Sequence, residues 1–538
     1  MHRLQSAYRY LFSSDCGSAD HLVSRWLFLR ALGAIYFSAF YALLFQVRGL
    51  IGTQGILPAA DYLNSARALG VLRFWYVPTL LWLHASDRLL MTICWAGLVA
   101  SVLVLLNVWP RATLIGCFIC FLSFVSAAQD FSSYQSDGML LEAGFLSLFL
   151  APPGLSPGLG SQHPPARAAM FLLIWEWFRI YFESGVVKLE SGDPTWHNLA
   201  AMYEYYQNGP LPTWIGWYLQ HLPHWFHIAS AAATLVMELV LVWLAFLPGR
   251  WKLACFAIVT IWQAVVIATA NYAFLNYLVL ALAILLLDDR WLLEWTPLSW
   301  RNDRLGSPRT QQRDNIEQFI GDHQSCQRQG RPLDRVVTGL QAVMLVLVFY
   351  VTLVPLVRMF WQNAPLSARP LEWLEPFRIA NQYGLFAVMT PHRYEIEFQG
   401  SDDGEHWKAY PFRNKPQDVN ERPRIYAPYQ PRFDWNLWFA SLGSWQENSI
   451  VPRTAERLLQ QDQPVLGLFA GNPFPKGPPR MVRAVLWQYW FSSLAEKRLT
   501  GAWWKRQYLG SYMPTLTRLP DGRFAILDAS ADDPSERP

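Results

Sequence analysis

Nine apolar stretches dominate this 538-residue chain, and their lengths constrain its fold more than any motif does. Crossing the hydrocarbon core of a bilayer as a helix takes about 20 apolar residues, because backbone polar groups in lipid must be paired within the segment itself. Residues 26–47, 89–109, 166–188, 226–247 and 336–357 reach that length, and 112–128, 137–152, 251–268 and 271–287 are shorter or closely spaced candidates. Segment 137–152 is the weakest and also reads as re-entrant, so the expected number of transmembrane helices is eight or nine. Residues 71–84 (VLRFWYVPTLLWLH) read as an interfacial helix. The first run begins near Trp26, lacks a small-residue cleavage site and is followed by more spans, so it is read as a span and not as a signal peptide.

Lys and Arg in the loops give the expected orientation. Segments 129–136 and 189–225 contain neither residue, whereas 288–335 has eight Arg and 248–252 has Arg250 and Lys252. Nine spans with the N-terminus inside place the empty loops outside and the rich ones inside. The exception is 48–88, an outside loop with Arg48, Arg67, Arg73 and Arg88. The expected organisation is a cytoplasmic segment 1–25, a helical bundle 26–287, an Arg-rich cytoplasmic loop 288–335, a last span 336–358 and an outside domain 359–538.

The composition fits this division. Charged residues make up 16% of the chain, against about 25% in a soluble protein. The 27 Trp suit a chain with many membrane–water interfaces. A formal charge of +4 is too small to point to nucleic acid, and the apolar runs make the bilayer the expected partner. The tail reads as an α+β domain with a mainly antiparallel sheet. Residues 393–412 read as strand, Asp-Gly turn and strand, 481–494 as a strand, and 434–443 and 451–461 as short helices.

The charges inside the apolar runs are the candidate site. At about 100° per residue, Glu176, Arg179, Glu183 and Glu190 fall within roughly 60° of one another on the fifth span. Lys188 lies off that face unless Gly185 breaks the register. Glu142 and Glu238 sit in apolar surroundings on the fourth and sixth spans. A lone charge at the bilayer centre costs about 2.5–3.5 kcal/mol, so such groups pair, face the interior or line a site. Three readings stand: a structural ion-pair network, an outward-facing polar pocket with Glu183 and Lys188 paired at its lip, or snorkelling of Lys188 and Glu190.

Other motifs are weaker. His221, His224 and His227 could ligate zinc, but Pro223 interrupts any shared helix face. Cys117 and Cys120 have a redox spacing inside an apolar run, where a thiol stays protonated and inert. No Gly-rich phosphate loop, nucleophile elbow or HExxH motif is present, and no cofactor is expected.

The blocks 134–152, 181–227 and 270–289, with 381–412, 424–443 and 472–491 in the tail, resemble the lipase maturation factor family. That resemblance covers about residues 25–510 and implies a polytopic membrane protein. Animal members sit in the endoplasmic reticulum, with a lumenal C-terminal domain, and help dimeric secreted lipases fold. The Arg-heavy, Lys-poor composition suggests a bacterial member in the inner membrane, with a periplasmic tail. The expected function is then non-enzymatic maturation of secreted clients such as lipases. Trp435, Trp438 and Phe439 are the candidate client contacts. A second resemblance is local: YFESGVVKL at 181–189 and a later Trp are similar to a segment of the vitamin K-dependent γ-carboxylases and their membrane relatives. It implies an alternative in which Lys188 is the base of an enzyme acting on a lipid or quinone-like substrate.

Overall fold

The computed structural model describes residues 8–13, 17–294 and 332–527. Most of the Arg-rich segment 288–335, together with Arg3, Cys16 and Cys326, lies outside them. Among the described residues, nine principal helices form the bundle: α1 (Leu22–Ile51), α2 (Asp87–Leu105), α3 (Pro110–Val125), α4 (Gln135–Leu150), α5 (Arg167–Glu190), α6 (His224–Leu239), α7 (Arg250–Thr269), α8 (Leu275–Ala283) and α9 (Pro332–Phe360). A single turn, Leu241–Phe246, continues α6. Punctuation is local. Ser86 caps α2, and Pro110 occupies the first turn of α3, where its missing N–H is not needed.

Among the described residues, five helical stretches are long and apolar enough to cross a membrane: Ala19–Ile51, Asp87–Leu105, His224–Phe246, Arg250–Thr269 and Val336–Phe360. Pro110–Val125 and Leu275–Leu286 are apolar but shorter. α5 has 24 residues but carries Arg167, Glu176, Arg179, Glu183, Lys188 and Glu190, so composition alone does not mark it as a span. α4 is almost wholly buried against its neighbours. Glycines let backbones approach closely here. A Cβ on Gly97 of α2 would meet the Phe40 ring of α1 at 2.3 Å, and one on Gly144 of α4 would meet the Tyr36 hydroxyl at 2.0 Å.

Residues 71–84 are not one interfacial helix. They are split among a turn ending at Leu72, a four-residue helix Arg73–Tyr76 and a turn Leu80–Trp82. Pro78, with no N–H to donate, separates the last two. The stretch still exposes Val71, Leu72, Phe74, Tyr76 and Leu83.

The tail is built on one five-stranded antiparallel sheet of order β2-β1-β3-β4-β5. Its strands are β1 (Arg393–Ser401), β2 (Lys408–Ala409), β3 (Met481–Phe491), β4 (Trp504–Arg518) and β5 (Phe524–Ile526). Helices α10 (Arg432–Ala440) and α11 (Ile450–Gln460) pack beside it. β4 is missed by the sequence reading. Its first half is exposed and polar, and register shifts against β3 break the alternation that marks a strand.

Polar contacts sort the loops into two ends. At one end the Trp75 indole donates to Trp373 O (3.0 Å), Gly384 N to Gln135 Oε1 (3.1 Å), Trp217 Nε1 to Trp503 O (3.1 Å) and Tyr426 N to Asn271 Oδ1 (2.7 Å). Those contacts join loops 52–86, 191–223 and 270–274 and the first turn of α4 to the tail. At the other end Leu22 N donates to Asp289 Oδ2 (2.7 Å), Arg25 to His163 O (2.6 Å), Asn107 to Gly158 O (2.7 Å) and Arg111 to Ala151 O (2.7 Å).

Candidate functional site

α5 brings three acidic and basic side chains to one face by helical spacing: Glu176, Arg179 and Glu183 are all fully buried. Arg179 pairs with Glu142 of α4 and donates from Nη1 to Asn381 O at 2.6 Å. Glu142 Oε2 accepts from Asn381 N (2.9 Å), Asn381 Nδ2 (3.0 Å) and the Tyr383 hydroxyl (2.9 Å). Glu183 Oε2 accepts from Tyr383 N at 2.7 Å, and Ser184 Oγ from Leu385 N at 3.0 Å. Among the described residues, no hydrogen bond of normal geometry reaches either oxygen of Glu176.

Lys188 pairs with Glu238 of α6, not with Glu183. Its Nζ lies 3.0 and 2.9 Å from the two Glu238 oxygens and donates to Leu385 O at 2.7 Å. Gly185 does not break the helix, as the register argument supposed: α5 runs unbroken to Glu190. Gly185 instead admits α6, whose Glu238 Cβ and Leu239 side chain stand 2.9 Å from where a Cβ would be. That approach carries Glu238 to Lys188. Glu190 is exposed and outside the cluster.

The partners share a feature. Residues 381–390, called the strap here, have no regular structure, yet their backbone groups are satisfied one after another by side chains of the first half of the chain. Beyond the bonds above, Trp196 Nε1 donates to Phe386 O (3.1 Å), Ser191 Oγ to Ala387 O (2.8 Å) and Asn208 Nδ2 to Thr390 O (2.7 Å), while Met389 N donates to Asp193 Oδ2 (2.6 Å). The strap is only half-buried, but the backbone groups it turns toward the bundle must find such partners or lose stability for each one orphaned. Of the charges of α5, Arg179, Glu183 and Lys188 hydrogen-bond the strap.

Two further contacts, absent from the sequence reading, fasten the tail. Arg432 of α10 makes a two-pronged ion pair with Asp137 of α4, both bonds 2.7 Å and both side chains buried. Arg393 of β1 donates to the carbonyls of Gln207, Gly209 and Pro210. Asp137 carried a readable signal, a charge within an apolar run. Arg432 carried none.

The other candidates are placed differently. His221 Nδ1 lies 2.7 Å from Trp217 O and its Nε2 3.0 Å from Ser492 O, while His227 Nε2 lies 3.1 Å from Leu222 O. His224 is exposed. Pro223 is the residue just before α6, so His221 belongs to the preceding turn, and among the described residues the three rings form no metal-holding group. Cys117 and Cys120 are buried free thiols. Trp435 and Trp438 are only 5% and 7% exposed and belong to the packed interior, whereas Phe439 is 46% exposed.

The transmembrane domain of lipase maturation factors matches residues 23–294, and their C-terminal domain matches residues 379–514. The chain belongs to the lipase maturation factor family. It is 30% identical to Lipase maturation factor 1 of Bos taurus over 514 residues, which cover 92% of this chain and 89% of that protein. Against Lipase maturation factor 2 of Homo sapiens it is 31% identical over 596 residues, covering 93% and 83%. No solved structure matches it. As a lipase maturation factor family member it is an integral membrane protein with a helical bundle and a C-terminal sheet domain. The buried cluster joins the two family domains: Glu142, Arg179, Glu183 and Lys188 come from the first, and the strap opens the second.

Proposed function

We propose that this lipase maturation factor family member is a non-enzymatic, membrane-anchored factor that helps secreted clients, lipases among them, to fold and assemble. The observation that carries this reading is the family match across both domains. The fate of the buried charges supports it. A base needs an amine with a free lone pair, whereas Lys188 Nζ donates to Glu238 and Leu385 O.

In this reading all nine principal helices cross the membrane, with the N-terminus in the cytoplasm and the tail in the periplasm, or in the lumen of a eukaryotic host. Two observations support it. Loops alternate between the two ends from one helix to the next, and the Lys- and Arg-free loops share the tail's end. The client would meet Phe439 and the outer edge of β4, where β5 pairs only residues 516–518 and residues 505–513 lack a second strand partner among the described residues. An extended segment of a partly folded chain can add to such an edge.

The test uses the full chain co-expressed with a secreted lipase. Phe439→Asp and Tyr508→Asp should lower active lipase at unchanged membrane abundance of the factor. Unchanged lipase output after deletion of the whole gene would refute the reading. For topology, with Cys16 and Cys326 replaced by Ser, a thiol reagent should reach Gln446→Cys from outside and Thr310→Cys only after permeabilisation. Labelling of both from one side would reject nine crossings.

A further inference from the structure

Beside the Lys188–Glu238 pair lies a cavity of about 130 Å³, enclosed by α5, α6, α7, α8 and the strap. Its walls are mostly apolar, with Trp196, Phe226, Trp262 and Val266 among the lining residues. Its polar floor is a hydrogen-bonded chain: Asn276 Nδ2 donates to Gln263 Oε1 (2.6 Å), and Gln263 Nε2 donates to the Tyr181 hydroxyl (2.6 Å). Tyr181 thus accepts one bond, and among the described residues its own O–H has no acceptor. Lys188 and Glu238 neutralise each other, so the chamber offers no net charge to a ligand.

Size and access narrow the occupant. An engineered cavity of about 150 Å³ holds one benzene, so this chamber takes a ring or a short length of one chain, not a two-chain lipid. Val265 lines the cavity and is 48% exposed, so the wall between α6 and α7 is also the outer surface of the bundle. Ile261, one turn before Val265 on α7, is 68% exposed, so this face of α7 is turned outward as lipid-facing side chains are. An apolar outer face of that kind makes hydrocarbon the route in. Leu385, Phe386 and Met389 of the strap form part of the chamber's lining, so whatever enters touches the segment that holds the tail.

We propose that this chamber binds a neutral single-chain amphiphile, which enters from the bilayer between α6 and α7 and offers its hydroxyl or carbonyl head to the Tyr181 O–H beneath the strap. The site goes beyond the maturation reading and does not rest on it. A neutral head fits because Lys188 and Glu238, the charged side chains lining the chamber among the described residues, are already paired. The volume admits part of one chain at a time.

A long-chain fatty alcohol carrying a diazirine is the probe, used on the full-length purified protein in nanodiscs. Irradiation should label peptides from α5, α6 and α7 saturably, and excess unlabelled alcohol should compete. Val266→Trp fills the chamber from α7 and should cut labelling at least about tenfold. Ser230→Phe fills it from α6 and guards against one variant simply misfolding, with thermal unfolding recorded for both. Tyr181→Phe should weaken competition by the alcohol without changing labelling by a diazirine alkane. Labelling that does not saturate and survives both fillings in folded protein would overturn the site. Competition by an anionic two-chain phospholipid as strong as by the alcohol would overturn the ligand class.

Discussion

Tyr383 donates its backbone N–H to Glu183 Oε2 at 2.7 Å across 200 positions of sequence. The bond joins the end of a bundle helix to an irregular segment of the tail, and neither residue has another route to burial without cost. Glu183→Ala would leave the Tyr383 N–H unpaired, at about 1–3 kcal/mol. The thermal midpoint should fall, and proteolysis at the strap should quicken. Glu183→Gln keeps an acceptor oxygen and should lose less. Equal midpoints for Ala and wild type would mean that the bond is not formed in the membrane.

Arg432 and Asp137 form a second fastening, fully desolvated. Removing one partner of such a pair costs about 3–5 kcal/mol, while replacing both with apolar groups is often neutral. Arg432→Met should therefore deplete the protein from membranes, and Asp137→Leu in the same chain should restore much of it. Immunoblots of membrane fractions give the answer directly.

Asp193 supplies a pH dependence outside the spans. Burial raises its carboxyl, but hydrogen bonds from Met389 N, Thr195 N and the Thr195 hydroxyl, with the nearby His197, lower it further, and the net shift is downward. A depressed carboxylate contributes stability above its unfolded value, about 3.9, and loses it as pH falls through the folded value below that. The protection factor of the Met389 amide, its exchange rate corrected for the intrinsic rate at each pH, should therefore hold down to about pH 4 and fall below it. Asp193→Asn should flatten that profile.

Trp438 and Phe439 are sequence neighbours with opposite environments. Trp438→Ala empties part of the interior and should cost about 3–5 kcal/mol, seen as loss of membrane-inserted protein. Phe439→Ala should leave abundance unchanged, so any loss of client output it causes reports on contact.

The helical half was legible because apolar length is a local property. Each of the nine runs holds a helix, including 137–152, whose core position no hydropathy argument could assign. Glu142, Arg179 and Glu183 stood out as charges in apolar sequence. Their partners did not, since Asn381 and Tyr383 sit in NQYGLFAVMT, which reads as an ordinary loop. The Lys188–Glu238 pair depends on how closely α6 approaches Gly185, a long-range fact with no local signature. β4 escaped because Lys505, Arg506, Gln507 and Tyr508 are all exposed in succession, so no inward-outward alternation marks its start.

The most direct test of whether the buried charges bind the tail or perform chemistry is membrane abundance and client output, measured together, for Lys188→Met, Glu238→Leu and the double variant. A structural pair predicts that each single change strands a buried charge, at about 3–5 kcal/mol, and depletes the protein. The double variant should then recover both abundance and output. Normal abundance of Lys188→Met with all output lost, and no recovery in the double variant, would contradict this reading and make Lys188 a reacting group.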